Sequence, residues 1–112
     1  MMTSQNDIKQ RIKESIENLR NRQKETLEQI FKLPVPSNVK WISIESLITA
    51  LGGEIKEGTG SRVRFLLNGS IARLHRPHPN PDTDKGALVS LREWLESIGV
   101  TPWVKQQMQL MS

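Results

Sequence analysis

The chain has 112 residues, 36% hydrophobic and 25% charged, which is room and composition for one ordinary globular domain with at most a small appendage. It has no cysteine, which excludes thiolate metal sites, disulfide staples and thiol redox chemistry. The formal net charge of +4 suits an acidic partner, while a complement of three tryptophans, two phenylalanines and no tyrosine argues against a single-strand binder built on serial stacking platforms.

Residues 4–32 contain no glycine or proline and are rich in Lys, Arg, Glu and Gln, all good helix formers. Ile8, Ile12, Ile16 and Leu19 follow one helical spacing, and Leu27, Ile30 and Phe31 another, with a polar run from Arg20 to Lys24 between them. This pattern predicts either one long helix with a polar middle or two helices, over about 4–20 and 23–32. The mixed charges read as a solvated face, and the narrow apolar stripe suits packing on another helix, from this chain or from a partner.

Leu33-Pro34-Val35-Pro36 ends that region, because two prolines cannot continue a helix. The next helix is expected to begin at Ser43 as N-cap, with Glu45 in its first turn and Ile42 stapled to Leu47. Ile44, Leu47, Ile48 and Leu51 form its apolar face, Gly52-Gly53 ends it, and Trp41 just ahead is expected to act as a lid over the core.

A short strand from Glu54 to Glu57 leads to the Gly58-Thr59-Gly60-Ser61 turn. Two further strands, Arg62–Leu67 and Ser70–His75, flank Asn68-Gly69, the favoured pair for a two-residue type I′ hairpin. That loop sets the register: Leu67 opposite Ser70, Leu66 opposite Ile71, Phe65 opposite Ala72, Arg64 opposite Arg73, Val63 opposite Leu74, and Arg62 opposite His75. Alternation then puts Val63, Phe65, Leu67, Ala72 and Leu74 on a core face, and Arg62, Arg64, Arg73 and His75 on the other, beside Leu66 and Ile71.

Pro77, Pro79 and Pro81 make the following segment an extended loop. Asp82, Thr83 or Asp84 is expected to cap a last helix that runs to about Ile98, with Leu88, Leu91, Leu95 and Ile98 inward, Trp94 at the edge of the stripe and Gly99 as stop. The remainder, 100–112, carries little pattern.

Residues 58–81 hold Arg62, Arg64, Arg73, Arg76 and both histidines, His75 and His78, with no acidic residue, so these arginines account for the whole net charge. Unpaired basic residues concentrated in this way are expected at a phosphate-binding surface. His75 and His78 are too few to hold zinc without a third ligand, and no cofactor is expected. As acid–base groups they are better placed, since imidazole titrates near neutrality. Metal-free RNA cleavage needs a base for the ribose 2′-hydroxyl, an acid for the leaving 5′-oxygen and cations near the phosphorane; His75 with Arg62, Arg64 and Arg73 supplies those residue types. Binding phosphate without cleaving it requires the same residues. Gly58-x-Gly60 precedes a strand rather than a helix, so it reads as a tight turn and not as a dinucleotide fingerprint.

The order helix, three strands, helix, together with the Leu51-Gly52 helix end, the Gly60-Ser61 turn, the Lys85-Gly86-Ala87-Leu88 start of the last helix and its Ile98-Gly99-Val100 end, resembles the HicA family of bacterial toxin–antitoxin toxins. The resemblance covers about Trp41 to Val100. It implies an α+β, double-stranded-RNA-binding-like core, cleavage of mRNA, and neutralisation by a HicB antitoxin partner. In the family the Gly-Ser turn is commonly followed by the catalytic histidine; here that position is Arg62, and the hairpin register sets His75 across from it. His75 and His78 are the expected catalytic residues, with Ser61, Arg62, Arg64, Arg73 and Arg76 binding nucleic acid.

The expected organisation is an N-terminal helical extension (1–36), the core (37–101) and a tail (102–112). A core of roughly 65 residues is near the size at which association helps, so a homo-oligomer or a hetero-complex is expected. No apolar run approaches the ~18 residues of a membrane helix. The start MMTSQNDIKQ lacks the apolar stretch of a secretory signal. A cytoplasmic protein is the expectation. Two other readings use the same residues: a non-catalytic RNA- or DNA-binding module, and an interaction protein that oligomerises through its N-terminal helix.

Overall fold

The computed structural model describes residues 5–102. In chain order the elements are α1 (Gln5–Glu17), α2 (Asn21–Ile30), α3 (Trp41–Ala50), β1 (Glu54–Glu57), β2 (Arg62–Leu67), β3 (Ser70–His75) and α4 (Lys85–Ser97). The strands form one antiparallel sheet in the order β1-β2-β3. α3 packs against β1 and α4 against β3, and α2 rests on both of these helices. The fold is α+β, as expected.

The hairpin register is the one set by Asn68-Gly69, pair for pair from Leu67–Ser70 to Arg62–His75. Both loop residues have positive φ, 52° at Asn68 and 74° at Gly69, as a type I′ turn requires. Val63, Phe65, Leu67, Ala72 and Leu74 are buried, and they join Ile44, Leu47 and Ile48 of α3 and Leu88, Leu91 and Leu95 of α4 in one core. Burial on one face only leaves the opposite face of the sheet to solvent.

The N-terminal region forms two helices, interrupted at residues 18–20, and most of the polar run lies inside α2. Gln23 turns back to accept a hydrogen bond from the Arg20 backbone N–H at 3.1 Å, which starts α2, and its amide donates to Ser46 Oγ on α3 at 3.2 Å. The apolar stripes find their partner within this chain: Leu27 and Ile30 of α2 and Leu19 just before it lie in the same core as the sheet, with Ile12 and Ile16 of α1 packed against it. Arg92 of α4 secures the end of α2 by donating to the carbonyls of Ile30 (3.0 Å) and Lys32 (3.2 Å).

α3 begins earlier than expected. Lys40, not Ser43, is the N-cap, and it has no side-chain cap hydrogen bond. The start is fixed by tertiary pairing instead. Trp41 N–H donates to the Pro81 carbonyl (3.0 Å), Thr83 N–H donates to the Val39 carbonyl (2.8 Å), and Lys40 Nζ meets Asp82 Oδ1 at 2.7 Å. Glu45 consequently lies beyond the first turn, and Ile42 is 74% exposed rather than stapled to the buried Leu47. Trp41 is not a lid but a core residue, stacked on Phe65 with ring centroids 5.5 Å apart.

Both core helices that flank the sheet end in a Schellman motif. Gly53 N–H donates to the Ile48 carbonyl and Gly52 N–H to Thr49; Val100 N–H donates to Leu95 and Gly99 N–H to Glu96. Gly52 (φ 90°) and Gly99 (φ 81°) occupy the left-handed position. Asp84 caps α4 by accepting from Ala87 N–H at 3.3 Å. Ile98 is half-buried, whereas Val100 and Thr101 are buried, so the patternless tail begins only after the core has been closed. The rest of the tail, 103–112, lies outside the described residues.

Candidate nucleic-acid interface

A two-residue hairpin loop is closed by a hydrogen-bonded pair, here Leu67–Ser70, and pairs alternate along the ladder from there. Leu66–Ile71, Arg64–Arg73 and Arg62–His75 are therefore all non-hydrogen-bonded pairs, the type whose side chains stand closer together. The Arg76 N–H to Ser61 carbonyl bond of 2.7 Å continues the same alternation one step further. The outward face thus carries its basic residues in cross-strand rows.

The first row is Arg62 and His75. The second is Arg64 and Arg73, extended by Lys56, which pairs with Arg64 from β1. All five side chains are exposed. Among the described residues no carboxylate pairs with Arg62, Arg64 or Arg73; Lys56 has only a loose contact to Glu54, at 3.9 Å. Like charges opposite each other cost a sheet some tenths of a kcal/mol per pair. Among the described residues no ion pair to Arg62, Arg64 or Arg73 offsets that cost, and an anion bound on the face would.

Ser61 stands beside His75, with Oγ 3.3 Å from Nδ1. The hydroxyl donates when Nδ1 is bare and accepts when Nδ1 carries a proton, so it orients the ring in either state. Nε2 is left without a protein partner among the described residues. The turn that delivers Ser61 is shaped by Gly60, in the left-handed region at φ 66°, and by the Gly58 N–H to Arg62 carbonyl bond of 2.8 Å. With Thr59 on its wall, this turn rims a shallow concavity floored by Arg62, Arg64, Arg73 and His75.

Arg76 is not on this face. One residue past His75 it points to the helix side of the sheet, where it pairs with Glu57 of β1 at 2.5 Å and Glu45 of α3 at 3.0 Å. The hydrogen bond to Glu57, then that to Glu45, hold its guanidinium pKa above the ordinary value. Its charge is already met, so it ties β3 to β1 and α3. His78 is exposed in the loop and makes no hydrogen bond or ion pair among the described residues. Arg62, Arg64, Arg73 and His75 thus share one face in the register expected from the hairpin, and Ser61 joins them through His75. Lys56 of β1 also joins this face, in a register that no turn signal in the sequence sets.

Comparison with known proteins bears on the same region. No curated protein and no solved structure matches the chain. The family model described as HicA toxin of bacterial toxin–antitoxin matches residues 41–100, from the first residue of α3 to the residue that completes the Schellman motif of α4. The matched segment contains the whole sheet and both helices that pack on it, the double-stranded-RNA-binding-like unit. The chain belongs to the HicA toxin family.

Proposed function

We propose that this protein is the toxin of a type II toxin–antitoxin pair, that it binds mRNA on the outward face of its sheet, and that it cleaves it there without a metal ion. The observation that carries this reading is the exposed, unpaired set of Arg62, Arg64, Arg73 and His75 on one face, with Ser61 against the imidazole. His75 Nε2 takes the proton of a ribose 2′-hydroxyl, and the 2′-oxygen attacks the adjacent phosphorus. The guanidiniums of Arg62, Arg64 and Arg73 stabilise the charge of the phosphorane. The bond to the 5′-oxygen breaks as that oxygen gains a proton from His78 or water, leaving a 2′,3′-cyclic phosphate and a 5′-hydroxyl.

His75 in this account does the work that the family assigns to a histidine at the position of Arg62; the two are cross-strand neighbours. The partner is a HicB-like antitoxin protein in a hetero-complex. Purified protein in EDTA should cut RNA, and His75→Ala should stop it. If cleavage survives His75→Ala, the assigned role is wrong. A second reading has one observation behind it, the arginine at the family's histidine position: the face binds RNA and no longer cuts it. Binding without turnover in the same assay would establish that alternative.

A further inference from the structure

The cationic rows are followed by a row of different chemistry. Leu66 of β2 and Ile71 of β3 face each other on the outward side, with Glu54 of β1 beside Leu66. Ile71 is 43% exposed, an unusual place for a large aliphatic side chain on a basic face, and Leu66 across from it is half-buried. Three consecutive outward rows therefore read basic, basic, apolar. Successive rows lie two residues apart along the strands, about 7 Å at the rise of a β-strand, which is within reach of neighbouring phosphates on an extended nucleotide chain.

We infer that the face is a built subsite for one step of single-stranded RNA: one phosphate on the Arg62–His75 row, the adjacent phosphate on the Lys56–Arg64–Arg73 row, and one nucleobase lying on Leu66 and Ile71. This rests on the reading of the face as an RNA site and specifies what it holds. Glu54 closes the third row to a further phosphate and offers an acceptor for an exocyclic amine of the base. The base must be unpaired, since a base within a duplex cannot lay its ring on a sheet. Aliphatic packing of a single base also fits a chain with so few aromatic residues, which could not supply a series of stacking platforms.

The test is equilibrium binding of a short 2′-O-methyl oligoadenylate, which cannot be cleaved, against an abasic phosphodiester chain of the same length. The wild type should prefer the base-bearing strand, and Ile71→Thr should weaken that strand by about three-fold or more while leaving the abasic chain unchanged. Ile71→Phe should tighten it. The salt dependence reads the two phosphates: Arg62→Ala, and separately Lys56→Ala with Arg64→Ala and Arg73→Ala, should each lower the slope by about 0.7, and all four substitutions together by about 1.4. Equal affinity for both chains, equal losses on both in Ile71→Thr, equally tight binding of duplex RNA, or a loss of about 2.8 in the quadruple variant would each overturn the subsite while leaving RNA binding intact. Failure of the wild type to bind either chain would overturn the RNA-binding reading itself, and the subsite with it.

Discussion

Arg62 and His75 face each other across the β2–β3 ladder as a non-hydrogen-bonded pair, the closer of the two spacings an antiparallel sheet provides. An imidazole on either strand therefore projects into nearly the same space. Under the proposed function, this relationship is what brings a histidine to the phosphate although arginine stands after the Gly60-Ser61 turn.

His75→Ala alone should lose cleavage, and adding Arg62→His should recover part of it, because the imidazole returns from the neighbouring strand. Initial rates on a defined RNA, with binding affinity measured in parallel, check this. A double variant that binds RNA as well as His75→Ala yet stays inactive would show that position along the sheet is not sufficient.

Ser61→Ala removes the hydrogen bond to His75 Nδ1 and leaves every basic side chain of the outward face in place. A net hydrogen bond is worth about 0.5–1.5 kcal/mol, so the turnover rate should fall by about two- to ten-fold with affinity for RNA nearly unchanged. Ser61→Thr keeps a hydroxyl and should retain more of the rate than Ser61→Ala. Single-turnover kinetics separate the two quantities.

Gly53 is where α3 approaches the underside of the face. A Cβ there would lie 2.8 Å from Ile48 Cγ2 and 2.9 Å from the Leu66 carbonyl oxygen, and the backbone atom cannot step aside cheaply. Gly53→Ala should destabilise the fold by about 1–3 kcal/mol. Urea unfolding measures this through a lowered midpoint at unchanged slope.

Arg76→Met should also act on stability rather than on chemistry. It breaks the pairs to Glu57 and Glu45 and leaves two carboxylates near each other, a loss of about 1 kcal/mol for so solvent-exposed a cluster, shrinking at high salt. The sign with pH is fixed by the raised guanidinium pKa: the contribution is full below the ordinary arginine range and fades only as pH climbs past the elevated folded value. From the arginine side, the wild-type advantage over the variant should thus be constant across neutral pH.

Legibility in the sequence tracked how local each determinant is. The hairpin and its two faces were readable because Asn68-Gly69 fixes register within two residues and alternation does the rest. The start of α3 was not readable. Ser43 has the chemistry of an N-cap, yet the pairing of residues 39–41 with 81–83 recruits Lys40 from a distance of some forty positions. Arg76 was misplaced for a similar reason. Its proximity to His75 in the chain says nothing of the side it takes, and Glu45 and Glu57 decide that through the tertiary fold. Lys56 needed the β1 register, which no turn signal of comparable strength announces.

The most direct test of the central claim is expression of the full chain in a bacterium without any antitoxin, with growth and RNA integrity followed together for the wild type and His75→Ala. The account predicts growth arrest with RNA fragments bearing 5′-hydroxyl ends for the wild type, and normal growth with intact RNA for His75→Ala. RNA fragmentation that persists undiminished in His75→Ala, or arrest of the wild type with its RNA intact, would contradict it.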